Sequence, residues 1–260
     1  MTRSRGRGRG IDMRAPAPPT RPVSWLPVLL LIVVTVVAYA PALHGQFLWD
    51  DDRYVSQNST LRSLAGLSDI WLAPRESPQY YPLVFTAFWF EHQLWGPAPF
   101  GYHAVNLALH IANALLLWLV LHRLRVAGAY AAAVVFALHP VHVESVAWIT
   151  ERKDVLATVF SLVTIVAWLR WLDAPRVASF CATLALFIAA MLSKTIACTL
   201  PVVLLLLTWW RRPSGMRRAL AGAIPLLAIG AGLARVTMWR EALGDPLELP
   251  ARRLSEIDRL

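Results

Sequence analysis

Cysteine and lysine are nearly absent from this chain: two of each in 260 residues, against 23 arginines. Charge of either sign is also sparse, at 16% Asp, Glu, Lys and Arg. Each shortage excludes something. Cys181 and Cys198 both lie in apolar stretches, so free thiols are expected and a disulfide framework is not. No sequence period repeats, which sets aside solenoids and propellers. No pair of interrupted hydrophobic segments sits at matching places in two halves, which argues against a transporter built from inverted repeats. With 57% hydrophobic residues and so little charge, a soluble helical protein is excluded too, because it would show amphipathic stripes instead of apolarity all round.

What the chain does have is a series of apolar runs. They cover 25–43, 104–121, 127–146, 155–172, 177–193, 195–210 and 219–239. Each is near the length that crosses about 30 Å of hydrocarbon as a helix. The expected fold is therefore an all-α integral membrane protein with about seven transmembrane helices. The third, fifth and sixth runs are the weakest, since short links or the prolines Pro140 and Pro201 interrupt them.

The net charge of +9 invites a nucleic-acid reading, and the arginine positions oppose it. Arg3, Arg5, Arg7, Arg9, Arg14 and Arg21 precede the first run. Arg123 and Arg125 follow the second, Arg170 and Arg176 flank the link after the fourth, and Arg211, Arg212, Arg217 and Arg218 separate the last two. With seven crossings these fourteen of 25 basic residues fall on one side, which the positive-inside rule makes cytoplasmic. The expected partner is the lipid bilayer, and no nucleic acid. Nine carboxylates (Asp50, Asp51, Asp52, Asp69, Glu76, Glu91, Glu144, Glu151 and Asp154) fall on the other side. Acidic residues barely influence insertion, so their gathering asks for another cause.

Along the chain, 1–22 reads as a disordered basic cytoplasmic tail. Residues 23–240 read as the membrane domain. Ala38-Tyr39-Ala40 resembles a cleavage site, but Pro41 follows it, so the first helix is expected to stay as an anchor. The long polar segment, 44–102, forms the first outer loop. Within it, Asp69 to Trp71 and Leu83 to Phe90 are expected to be short interfacial helices, given their Trp and Phe content. Residues 241–260 look like the start of a further outer loop, as in a truncated chain.

Four groups of residues are candidates for chemistry. Asp50-Asp51-Asp52 crowds three carboxylates just beyond the first apolar run. Crowding raises carboxylate pKa values, so one of the three can serve as a general base, or a pair can hold a divalent cation such as Mg or Mn, with Asp52 the metal candidate. His103, Asn106, His110 and Asn113 are spaced 3, 4 and 3 apart, one face of the second helix. Helix–helix hydrogen bonding explains that stripe as well as a site does, and His103 is its candidate site residue. His139-Pro140-Val141-His142-Val143-Glu144 offers His139, His142 and Glu144, at a spacing looser than a zinc motif, to shape the outer cavity or hold a metal. Last come Glu151-Arg152-Lys153-Asp154 and Ser193-Lys194-Thr195. They contain the chain's two lysines, both at outer helix ends. A compact ammonium in an arginine-writing chain suits contact with a phosphate, and Arg152 joins Lys153 and Lys194 as a candidate.

Taken together, Phe47-Leu48-Trp49-Asp50-Asp51-Asp52, Tyr80-Tyr81-Pro82-Leu83, Leu94-Trp95-Gly96, Gly101-Tyr102-His103-Ala104-Val105-Asn106, the stretch from His139 to Trp148, Glu151-Arg152-Lys153-Asp154-Val155-Leu156 and Leu192-Ser193-Lys194-Thr195 resemble the membrane part of the transmembrane and tetratricopeptide-repeat O-mannosyltransferases, in their bacterial form. Those are GT-C glycosyltransferases related to the protein O-mannosyltransferases. The resemblance runs from about residue 23 to 240. It implies a GT-C fold in a bacterial inner membrane, with a cytoplasmic N-terminus and a periplasmic active site. It also implies a polyprenyl-phosphate sugar donor and a protein or glycan acceptor. The family's paired acidic motif maps onto Asp50 and Asp51. Substrate and phosphate contacts are then expected from Arg152, Lys153, Lys194, His139, His142, Glu144 and His103. The family's second membrane half and its tetratricopeptide repeats are missing from this sequence. A non-enzymatic anchor or assembly module for envelope polysaccharide is the alternative reading.

Overall fold

The computed structural model of the chain describes residues 25–73 and 77–242. The basic tail 1–22, Glu76 and residues 243–260 of the loop expected over 241–260 lie outside the described residues. Among those residues every regular element is helical and there is no strand. In chain order the α-helices are α1 (Leu26–Tyr39), α2 (Leu64–Leu72), α3 (Pro82–Trp95), α4 (Pro99–Arg123), α5 (Ala129–Leu138), α6 (Val143–Ala147), α7 (Arg152–Asp173), α8 (Val177–Ser193), α9 (Leu200–Arg211) and α10 (Met216–Ala242).

Proline placement explains most of the boundaries. Pro27, Pro82, Pro99 and Pro201 sit in the first turns of α1, α3, α4 and α9, where the missing N–H has no intrahelical partner to lose. Pro41 falls where α1 would continue, and the chain tightens into a 3-10 turn over Ala40–His44. Pro140 does more. It pushes His139 into an extended conformation (φ −69°, ψ 130°) and breaks the third apolar run into two helices bent by 51°, as expected for a residue before proline.

Among the described residues four helical stretches are long and apolar enough to cross a membrane: Leu26–His44, Pro99–Arg123, Ile149–Asp173 and Pro213–Arg240. The bent pair Ala129–Leu138 with Pro140–Ala147 makes a fifth if it is one span. Val177–Ser193 and Thr195–Arg211 are apolar but shorter. Of the seven crossings expected, four to five are supported by helix length and composition. At 1.5 Å per residue, the 17 residues of α8 reach about 25 Å, short of about 30 Å of hydrocarbon.

The bundle packs around two main centres. Trp168, Phe187, Leu204 and Leu226 bring α7, α8, α9 and α10 together, with the Trp168 indole donating to Thr208 Oγ1 at 3.0 Å. α1 packs on α4 and α5 through Leu31, Ala114, Ala133 and Ala137, small residues that let helices approach closely. Outward-facing Leu29, Leu30, Val33, Val37, Trp209, Trp210 and Ile224 stay exposed, an apolar surface suited to lipid.

The second centre lies in the segment between α1 and α4. At the two places where short interfacial helices are expected, Asp69 to Trp71 and Leu83 to Phe90, the chain is helical within α2 and α3, and both helices are longer than expected. They enclose an aromatic core of Tyr54, Phe85, Phe88 and Tyr102 with Val55, Leu61, Ile70 and Val84. Ser63 caps α2 by accepting from Gly66 N at 3.0 Å, and Trp89 donates to Ser63 O at 2.8 Å. At Gly66 a Cβ would lie 2.1 Å from the Thr60 carbonyl oxygen, which is backbone and cannot step aside. Gly66→Ala should therefore cost about 1–3 kcal/mol of stability, read as a lower thermal midpoint of the detergent-solubilised protein. An unchanged midpoint would contradict this packing.

Candidate active site

The acidic triplet does not converge. Each carboxylate has a different fate. Asp51 is fully buried. Its Oδ1 accepts from Thr150 N at 2.8 Å and Thr150 Oγ1 at 2.6 Å, and its Oδ2 accepts from Leu48 N at 2.9 Å. This clamp fastens the end of the 45–51 segment to the turn that starts α7. Asp52 is exposed and accepts from Ser56 Oγ at 2.6 Å. Asp50 is exposed, held only through its backbone, whose carbonyl accepts from Tyr54 N at 2.9 Å. On the other side of Asp50, Trp49 sits at φ 48°, a left-handed conformation that is strained for a bulky residue. Its ring meets Trp148 edge-on at 5.1 Å.

Below the triplet, Tyr54 stacks on Phe85 and donates to Gln79 Oε1 at 2.7 Å. Burial pushes its phenol well above the ordinary value, and the Asp50 charge adds to the shift. It remains a neutral donor. His92 is shifted the other way, down, first by burial and then by Arg62.

The start of α7 carries an alternating set of charges. Lys153 Nζ lies 2.8 Å from Glu151 Oε1, and Lys194 Nζ lies 3.8 Å from Glu151 Oε2. Lys194 also pairs with Asp154. The two lysines of the chain thus meet on opposite oxygens of one carboxylate. Both remain partly open to solvent. Lys153 further lies 5.8 Å from the Tyr54 ring and 6.0 Å from the Trp148 ring, which ties it to the neighbourhood of Asp50.

Arg152 behaves unlike the two lysines. It is fully buried. Its Nη1 and Nη2 donate to Glu91, the latter at 3.1 Å, while Nε donates to Asn106 Oδ1 and Nη2 also to the Tyr102 carbonyl at 2.9 Å. The guanidinium lies over the Phe88 ring at 5.1 Å. Four of its five N–H donors are engaged inside the protein, an arrangement suited to positioning the start of α7. Burial raises the Glu91 carboxyl's pKa, and Arg152 opposes that shift. Glu91 escaped the sequence reading. The signal for it was a lone carboxylate one residue past the apolar run Leu83 to Phe90.

Three of the four polar residues on α4 make hydrogen bonds to neighbouring segments. Asn106 Nδ2 donates to Trp148 O at 3.0 Å, His110 Nε2 to Ala137 O at 3.0 Å, and Asn113 Nδ2 to Val155 O at 2.8 Å. His103 is buried against Gly45, where a Cβ would come within 2.8 Å of its Nε2.

His139 is exposed and caps its own turn by accepting from Val141 N at 3.2 Å. His142 packs on Phe136, ring centroids 4.4 Å apart. Glu144 is exposed. Among the described residues no three His, Cys, Asp or Glu side chains are grouped to hold a metal ion. His142 instead borders a cavity of about 200 Å³ with His110, Asn113, Phe136, Ser145, Asp154, Val155 and Thr158. The Asn113 Oδ1 is buried there without a protein partner.

Comparison with known proteins finds relatives that share one name. A protein O-mannosyl-transferase of Caenorhabditis elegans is 29% identical over 153 residues, 54% of this chain and 22% of that protein. Protein O-mannosyl-transferase Tmtc1 of Drosophila melanogaster is 32% identical over 174 residues, 63% and 20% respectively. Protein O-mannosyl-transferase TMTC1 of Homo sapiens is 33% identical over 157 residues, 55% and 18%. The chain is thus similar over about half its length or somewhat more to transferases of this name, and spans about a fifth of the length of these curated relatives. No family model matches it, and no solved structure does.

Removing one side of the buried pair tests the Arg152 arrangement. Glu91→Gln leaves the guanidinium without its counter-charge and should cost about 3–5 kcal/mol. Pairing it with Arg152→Met should recover a large part of that loss. Thermal unfolding of the two single variants and the double variant measures the coupling, and additive losses would show that the pair does not act as a unit.

Proposed function

We propose that this chain is the part of a GT-C type glycosyltransferase that holds the catalytic carboxylate and the leaving-group site. The reaction moves a sugar, a mannose by the relatives' names, from a polyprenyl-phosphate donor to a hydroxyl of a protein or glycan. The observation that carries the reading is the Asp51–Thr150 clamp. It sets an exposed Asp50 beside the Lys153–Glu151–Lys194–Asp154 cluster, on a chain similar to transferases of this activity.

In this mechanism Asp50 takes the proton from the acceptor hydroxyl. The freed oxygen attacks the anomeric carbon, and a new C–O bond forms there with inversion. The bond from that carbon to the phosphate oxygen breaks, and polyprenyl phosphate leaves with the electron pair. Lys153 and Lys194 exchange Glu151 and Asp154 for the phosphate as its charge grows, an electrostatic stabilisation concentrated where the charge develops. Asp51 and Arg152 position these groups without touching substrate. The polar cavity bordered by Asp154 is the candidate seat for the donor's sugar ring. No step needs a divalent cation.

The membrane placement belongs to the same proposal. The arginine-bearing loops face the cytoplasm, following the positive-inside rule. The acidic end then faces the periplasm of a bacterial inner membrane.

The test is transfer from polyprenyl-phosphate mannose in membranes carrying the full-length protein. Asp50→Asn should lower turnover by about 10²–10⁴ while the thermal midpoint stays near wild type. Asp51→Asn should lower both, because it disturbs the clamp. Wild-type turnover in both variants would remove the carboxylate from the mechanism.

A further inference from the structure

A second site lies at the opposite end of the bundle. The C-terminal ends of α4, α7 and α9 surround a pocket of about 600 Å³, within the range of small-ligand sites, about 300–1,000 Å³. Arg123, Arg125, Arg170, Arg211 and Arg212 line it, together with Asp173. Its apolar wall is Leu124, Leu169, Leu172 and Leu207.

Arginine at helix C-termini has an ordinary explanation, compensation of the helix dipole. The magnitudes exceed it. Three C-termini carry about −0.5 charge each. Five guanidinium groups face the one carboxylate among the lining residues, Asp173, which pairs with Arg212 at 2.7 Å. Four cations then stand against about −1.5 of dipole charge.

The positive-inside rule asks for arginine on this side of the membrane, but not for arginines gathered around one concavity. Arg125 also holds a left-handed backbone, φ 51°, at a helix end where glycine or asparagine is usual.

The setting identifies the ligand. Trp209 and Trp210, exposed at the same end of α9, are placed as tryptophans are at the headgroup level of a bilayer. A cationic rim over leucine walls at that depth matches a phosphate joined to an apolar body. We propose that this pocket binds the headgroup of an anionic phospholipid. A guanidinium fork suits phosphate oxygens, and the leucines take the glycerol and upper acyl carbons. The site is separate from the acidic end and does not depend on the transferase reading.

The experiment uses the purified chain in a neutral detergent. Bound lipid is counted by native mass spectrometry, and the thermal midpoint is followed with added phosphatidylglycerol, cardiolipin, phosphatidylcholine or inorganic phosphate. The anionic lipids should raise the midpoint and appear as bound species, whereas phosphatidylcholine should do neither. An Arg123→Gln/Arg170→Gln/Arg211→Gln variant should bind anionic lipid roughly 100-fold more weakly, at about tenfold or less per basic residue. Arg217→Gln/Arg218→Gln, on the same loop side but outside the pocket, should bind as wild type. Equal loss in both variants would mean diffuse surface charge and would overturn the site. So would an equal response to phosphatidylcholine. An equal midpoint shift from inorganic phosphate would overturn the lipid assignment in favour of a soluble phosphate. If the triple variant does not fold, Arg170→Gln alone decides by the same count of bound lipid, and unchanged binding there rejects the pocket.

Discussion

Burying a guanidinium requires an acceptor for each donor, and the acceptors around Arg152 come from two other helices. Glu91 is on α3, and Asn106 and the Tyr102 carbonyl are on α4, while Arg152 itself opens α7. None of these helices can shift against the others without leaving a charged N–H unpaired in an apolar setting, which is costly. The segment between α1 and α4 is therefore no loose loop on top of a bundle. Its aromatic core shares Tyr102 and Phe88 with this node, so this segment and the long helices α4 and α7 meet at the same ion pair.

The two ends of the bundle follow different electrostatic rules. At one end opposite charges alternate, and Glu151 serves both lysines. Such a cluster is locally compensated, and Lys194 has two carboxylates within reach, Glu151 and Asp154. At the other end arginines outnumber carboxylates among the described residues that line the pocket. The apolar helices between them carry few polar groups, and on α4 Asn106, His110 and Asn113 each donate to a backbone carbonyl.

Much of the architecture was legible in the apolar runs, because every expected run became helix. The count of crossings was not, since length decides it and prolines shorten helices in ways a hydropathy window does not register. Pro140 bends one run, and α8 stops at Ser193 before it reaches full span. The acidic motif and the lysine pair were visible as composition: three adjacent carboxylates, and two lysines among many arginines. Their division of labour was not visible. Nothing in Asp50-Asp51-Asp52 says which carboxylate turns inward. That is settled by Thr150, about a hundred positions away in sequence, and by the Leu48 amide. Arg152 and Lys153 are neighbours in sequence with opposite fates, one buried and one open, because a helix start points successive side chains in different directions.

The grip on both sides of Asp50 has a consequence for entropy. Trp49 is wedged against Trp148 in a strained backbone state, and Asp51 is sealed under Thr150. The residue between them inherits a fixed backbone while its carboxylate stays in water. The ordering cost that a flexible loop would meet with each ligand was met once, when the chain folded. A group held this way gains little from closing around a partner, so an encounter at this end depends on how the partner arrives rather than on how the protein rearranges.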